Sequence, residues 1–329
     1  MAQRGFDEQM AALEALKGHE LDEAAVGFVK KMLANRNNFL VAKAARLAEE
    51  NNLQQLMPDL LAAYERFFVN AEKSDPQCWA KNALSQALVK LECRDKDVFL
   101  RGMRHIQMEP VWGGKSDTAG MLRGTCALAL VTCDGLIAQD LLVLLLDPLT
   151  DADKSVRVEA VRALAQLGEP AVPLLRMRAL LPGAEAEEML AVCFAALLAI
   201  EREDAIPFVA RFLENGDDVA GEAAFALAET HSKAALDVLV VQQKRVADPW
   251  FMGVVLSAIA LTRLPEAMDF LVEKVERDER EAPLAIEALA RVASNVELRA
   301  WVERAVEENG SPRLKKAWNE HFSSPSAQG

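Results

Sequence analysis

Apolar residues recur at intervals of four in short bursts along the chain, and polar or turn-forming residues separate the bursts. Residues 151–168 show the unit most plainly. Asp153 or Ser155 can cap a helix, Val156, Ala160 and Leu164 share one face, and Gly168 ends it. Pro170 then opens a second helix through Leu174 and Leu175 to about Leu181, where Pro182 and Gly183 break it. The same spacing recurs at Ala80-Leu84-Leu88, Leu122-Cys126-Leu130, Met189-Cys193-Leu197, Val219-Ala223-Leu227, Val254-Ala258, Leu284-Ala288-Val292 and Leu314-Trp318-Phe322. Starting from Ala80 and including Val156, successive starts lie 42, 34, 33, 30, 35, 30 and 30 residues apart, and Val41-Ala45 fits as an earlier member. Two helical patterns per period of this length predict an all-α fold, an α-solenoid (a superhelix) of about nine antiparallel helix pairs. Breakers fall between the helices, at 35–38, 74–76, 215–217, 248–249 and 309–312.

Each pair in such an array exposes an apolar face that the next pair covers, so the ends need polar caps. The expected organisation is a single array over 1–322 with a helical cap at about 1–21. Residues 323–329 hold no side chain large enough to pack and are expected to be disordered.

Acidic loop residues stand six positions before basic helix residues at Asp75 and Lys81, Asp117 and Arg123, and Asp151 and Arg157. With the period, this spacing resembles the HEAT-repeat family, including its lyase-type members, over nearly the whole chain and most strongly at 151–168. The resemblance implies a ladder of these pairs linking neighbouring repeats, a right-handed solenoid, and second helices that line a concave face. The ladder lapses later, because Ala223 follows Asp217 and Val254 follows Asp248 at the same distance. HEAT arrays serve many roles, so the resemblance specifies fold far better than function.

Composition narrows the partners. The 329 residues carry 37 basic and 50 acidic side chains, net −13, and only 6% aromatics. Such a chain is unsuited to nucleic acid or an anionic membrane, which need clustered positive charge. The charge is uneven: residues 1–168 hold 20 Lys/Arg against 23 Asp/Glu, and 169–329 hold 17 against 27. Five cysteines, with Cys126 and Cys133 seven apart, show no C-x-x-C pairing and read as buried thiols of a cytoplasmic protein. The apolar stretch 124–149 is interrupted by Asp134, Gly135, Gln139 and Asp140 and reads as two buried helices, not a membrane span.

Catalytic signatures are scarce. His19, His105, His231 and His321 fall in different repeats, and the one His-Glu dipeptide, His19-Glu20, is short of the several that HEAT-like deoxyhypusine hydroxylases use to hold iron. No cofactor, metal site or catalytic residue is expected. HEAT-like DNA glycosylases need a basic grip that this charge denies. HEAT-like phycobilin lyases are the alternative: an enzyme or enzyme subunit acting on a bound chromophore or small molecule.

The leading expectation is a non-enzymatic scaffold or adaptor that binds another protein or peptide as a monomer. The one irregular segment, 109–118, places Trp112 beside Gly113 and Gly114, either as an aromatic tip for an interface or folded back to seal a groove. With Lys115 it heads the expected binding surface. Lys43, Arg46, Lys81, Arg123, Arg157 and Arg162 on the second helices make the N-terminal part positive, a match for an acidic helix or peptide. Glu185, Glu187, Glu188, Glu222, Glu229, Glu281 and Glu287 make the later part negative.

Overall fold

The computed structural model describes residues 2–181, 186–293 and 296–322. The expected break at Pro182 and Gly183, Glu185 and the expected tail at 323–329 lie outside them. The chain folds into two compact units, Met1–Ala171 and Val172–Gly329. Both are built from paired antiparallel helices, an all-α solenoid-like fold.

The first unit holds α1 (Ala2–Ala15), α2 (Glu23–Leu33), α3 (Asn38–Glu50), α4 (Met57–Arg66), the short α5 (Ala71–Ser74), α6 (Trp79–Lys90) and α7 (Lys96–Met103). Two strands follow, β1 (Met108–Val111) and β2 (Gly114–Asp117), then α8 (Gly120–Ala129), α9 (Ala138–Leu144), α10 (Leu146–Leu149) and α11 (Lys154–Gln166). Helices α3, α6, α8 and α11 pack side by side in that order, while α2, α4, α7 and α10 back them. Alanine makes this row close: Ala44, Ala45 and Ala48 of α3 and Ala80, Ala83 and Ala87 of α6 are buried, so the helix axes approach without bulky side chains between them.

The second unit repeats the scheme with α12 (Val172–Leu180), α13 (Ala186–Glu201), α14 (Ile206–Ala210), α15 (Asp218–Glu229), α16 (Lys233–Gln243), α17 (Pro249–Leu261), α18 (Pro265–Glu276), α19 (Ala282–Val292), α20 (Val296–Asn309) and α21 (Pro312–His321). Here α13, α15, α17, α19 and α21 form the row. Among the described residues the first unit thus has four pairs beyond α1 and the second has five.

The period-four stripes are the core. Ala80, Leu84, Leu88, Leu122, Cys126, Leu130, Ala160 and Leu164 are all fully buried. In α19 Ala288 is buried as expected, together with Ala285, Ile286 and Leu289, whereas Leu284 and Val292 are partly exposed. Local signals set the helix starts. The side chains of Asn37, Asp153, Asp217 and Asp248 accept backbone N–H bonds at the heads of α3, α11, α15 and α17. Six of the second helices, α3, α6, α11, α13, α15 and α17, end on a left-handed residue, Asn52, Glu92, Gly168, Arg202, His231 and Arg263 in turn, and only one of these is glycine. No helix of the described residues is long and apolar enough to cross a membrane, and 124–149 divides among α8, a 3-10 turn, α9 and α10. The described cysteines are all buried and free.

Candidate functional site

The segment 109–118, read from sequence as irregular, is a β-hairpin between α7 and α8. Its strands pair antiparallel, Met108 with Asp117 and Val111 with Gly114. Gly113 takes φ +90°, the left-handed value the turn requires. Sequence reasoning missed the strands because four-residue strands ending in Gly-Lys-Ser-Asp carry no clear alternation of apolar and polar positions.

A buried polar network roots the hairpin in the helix row. Gln107 donates its backbone N–H to Asp117 Oδ1 (2.9 Å) and its side-chain amide to the carbonyl of Asp75 (2.9 Å). Glu109 Oε1 accepts from the backbone N–H of Gln77 (2.7 Å), the amide of Gln107 and the hydroxyl of Thr118 (3.1 Å). Burial pushes the Glu109 carboxyl up, but these hydrogen bonds outweigh it and hold the group below the usual range. Gln77 and Cys78, which turn the chain into α6 beneath the hairpin, both lie in the left-handed region.

Two rungs of the expected ladder link neighbouring repeats and draw on these residues. The Asp75 carboxylate accepts from Asn38 Nδ2 (3.1 Å), the backbone N–H groups of Ala80 (2.8 Å) and Lys81 (3.0 Å), and Lys81 Nζ (3.0 Å), so the pair ties α3 to α6. Arg123 forks onto Asp151 (2.8 and 2.9 Å), bonds Asp117, and reaches the carbonyl of His105 (3.1 Å). It links α8, α11 and the hairpin base. Arg157 donates to the carbonyls of Asp151 (2.7 Å) and Ala152 (2.9 Å). Asp217 and Asp248 cap their own helices, and the residues six positions on, Ala223 and Val254, bring no cation to continue the ladder.

This geometry redistributes the expected surface. Lys81 is fully buried and the Arg123 side chain nearly so, which removes both from contact with a partner and makes them structural. Lys43 pairs with Glu14, and Arg162 is exposed but pairs with Glu159 at 2.6 Å. Arg46 and Lys115 remain exposed, and no ion pair of the described residues includes either. Trp112, at the hairpin tip, is wholly exposed (104%) and does not fold back.

Between the hairpin and the helix row lies a groove of about 630 Å³. Arg46 of α3, Trp79, Asn82 and Gln86 of α6, Val111 of the hairpin and Met121 of α8 line it. It continues past Gln86 and Met121 into a second cavity of about 560 Å³ along α6, α8 and α11. The Trp79 ring packs on Phe39 at 5.6 Å and its N–H reaches Gln77 Oε1 at 3.3 Å, yet 42% of Trp79 and 56% of Met121 stay exposed. Two large apolar side chains thus line one groove and stay open to solvent. Met121, Asn82 and Gln86 were not singled out from sequence, and Trp79, whose helical pattern reads as core or cap, instead stands 42% exposed in the groove. A signal was there: Trp79 and Met121 each stand one residue ahead of a buried stripe, and Trp79, Asn82 and Gln86 follow a helical face of their own at i, i+3 and i+7.

In the second unit several carboxylates lie near one another. The Glu222 carboxyl is pushed up by burial and by Glu187, Asp218 and Glu229 around it. Glu287 is paired with Arg291 at 2.7 Å. Among the described residues no three His, Cys, Asp or Glu side chains gather as a metal ion needs.

No family model matches the chain, and no curated protein is similar to it. Among solved structures, a chain of the complex of CpcE and CpcF of phycocyanin lyase from Nostoc sp. PCC7120 is 18% identical, with a TM-score of 0.35. The match covers 72% of this chain and 91% of that one. Likeness at this level carries no statement about activity, ligand or partner.

Proposed function

We propose that this protein is a non-enzymatic, HEAT-like binding scaffold or adaptor in which the hairpin and groove of the first unit receive a segment of another protein. The observation that carries the proposal is Trp112, fully exposed on a hairpin whose base is fixed by Gln107, Glu109 and Asp117, above a groove with Trp79 and Met121 in the open. An aromatic held out by a rooted hairpin loses little conformational freedom on binding, which favours a protein contact. On this reading the protein works as a monomer in the cytoplasm. Its net charge of −13 makes nucleic acid and anionic lipid poor partners.

Capture from the source organism's lysate tests the proposal, using the intact chain beside a Trp79→Ser, Trp112→Ala variant and a Trp250→Ser control in the second unit. The expected result is one protein retained by the intact chain and the control and lost by the groove variant. Equal retention by all three would discard the site. Retention of a chromophore or other small molecule with no protein would move the phycobilin-lyase-like reading ahead.

A further inference from the structure

We infer that Met121 is a site of reversible oxidation, at which a hydroperoxide converts the thioether to a sulfoxide whose oxygen is received by the Gln86 amide. The consequence, a groove switched from apolar to polar, rests on the reading of that groove as a protein-binding site; the chemistry at sulfur does not.

Three observations carry the inference. Met121 is 56% exposed, more than any other methionine of the described residues, with Met177 at 46% and Met108 at 39% next. The described cysteines, whose thiolates are the more reactive sulfur groups, are all buried. A small oxidant therefore meets the Met121 sulfur first. Gln86 Nε2, reaching from α6 to α8, lies 3.9 Å from Met121 Sδ. A thioether is a weak acceptor, so that contact is a weak one. An oxygen added on the same side stands one S–O bond nearer to the amide, which brings it into the ordinary N–H···O range. Gln86 thus holds the product better than the reactant. Lastly, Met121 and Gln86 line both cavities, at the point where one continues into the other, so a change at this sulfur alters the middle of the groove.

In the reaction a sulfur lone pair attacks the outer oxygen of the hydroperoxide. The S–O bond forms as the O–O bond breaks, and the departing oxygen takes the hydroperoxide proton and leaves as water or an alcohol. Sulfur is oxidised and the peroxide is reduced by the same electron pair. The sulfoxide is chiral, so an amide set on one side of the sulfur selects one epimer. Its oxygen is a strong acceptor on what was apolar surface, and an apolar partner must desolvate the part that Gln86 leaves open.

Titration of the full chain with hydrogen peroxide, followed by proteolysis and mass spectrometry, tests the inference. The peptide holding Met121 should gain an oxygen before those holding Met177 and Met108. The digest is then treated separately with the two methionine sulfoxide reductases, each of which reduces one epimer. One of them should remove about fivefold more of the Met121 sulfoxide than the other, the scale of one hydrogen bond. Gln86→Leu, shown to be folded by its melting curve, should bring that ratio close to one. A protein captured from lysate by the intact chain should be lost when the chain is oxidised beforehand and regained after reduction, and peroxide-treated Met121→Leu should keep it. Earlier oxidation of Met177 or Met108, or an epimer ratio that Gln86→Leu leaves unchanged, would overturn the oxidation site and leave the groove reading standing. A captured protein indifferent to oxidation of Met121 would overturn the switch. Capture of no protein would overturn the groove reading and the switch with it, while the epimer ratio still decides the site.

Discussion

Breaking the buried pair beneath the hairpin should unfold the first unit more readily, and the two ways of breaking it should differ. Asp75 and Lys81 are both fully buried. The carboxylate accepts four hydrogen bonds, from Asn38, Ala80 and Lys81 twice, whereas the ammonium donates to Asp75 at 3.0 Å and to the carbonyl of Phe67 at 3.3 Å. Removing one member of a buried pair costs about 3–5 kcal/mol, because the other is left as an uncompensated charge. Lys81→Met leaves Asp75 three N–H donors and refills the space with an unbranched apolar chain, so it should cost about 3 kcal/mol. Asp75→Asn strands an ammonium on one carbonyl and should cost about 5 kcal/mol. The double variant should lose less than the two losses combined, because no lone charge remains. For a unit of this length each kcal/mol lowers the melting temperature by about 2–4 °C. Urea unfolding followed by ellipticity and tryptophan emission would measure all three variants at pH 7. A Lys81→Met cost greater than that of Asp75→Asn, or single losses both under about 1 kcal/mol, would refute this reasoning.

Other consequences follow from the same structure. Burial pushes the thiols of Cys126 and Cys193 up to about 12 and those of Cys78 and Cys133 up to about 11, so a thiol reagent at pH 8 should label none of them until denaturant is added. Burial also raises Asp117, but the N–H groups of Gln107 and Ala119 and the Arg123 guanidinium outweigh it and hold the carboxyl low, as hydrogen bonds do for Glu109. A depressed carboxyl adds stability above its unfolded value, which is lost as pH falls through the folded one. The first unit should therefore weaken as pH drops from the ordinary carboxylate range near about 4, and Glu109→Gln should flatten that part of the stability–pH curve. Glu222 has the opposite sign: raised by burial and by neighbouring carboxylates, it destabilises the folded state once ionised. Glu222→Gln should raise the melting temperature at pH 7 and leave it unchanged at pH 3.

The parts of the fold legible in sequence are those where one residue type has one physical use. Stripes such as Val156, Ala160 and Leu164 have no role except burial, and Asp153 or Asp217 before a helix does little but cap it. The Asp-to-basic spacing was equally legible, and it led two ways at once. It marked Lys81 and Arg123 as ladder members while they were also counted as surface cations, and burial settles that they hold repeats together. The groove was harder to read because its face overlaps the core stripe. Trp79 adjoins Ala80 and Met121 adjoins Leu122, and at a helical turn of about 100° per residue a neighbour in sequence is already off the buried face. The hairpin was illegible for another reason: its strands are set by bonds from Gln107 and Thr118 to residues up to 32 positions away, which no local pattern contains.

The most direct test of the groove as a protein-binding surface is photo-crosslinking from position 121. A benzophenone side chain replacing Met121 in the full chain, irradiated in the source organism's lysate, should form a discrete higher-mass adduct with a protein. Excess unlabelled chain should suppress that adduct, and the same probe at position 250 of the second unit should not form it. Absence of any adduct from position 121, or an equal adduct from position 250 that unlabelled chain does not suppress, would contradict the account.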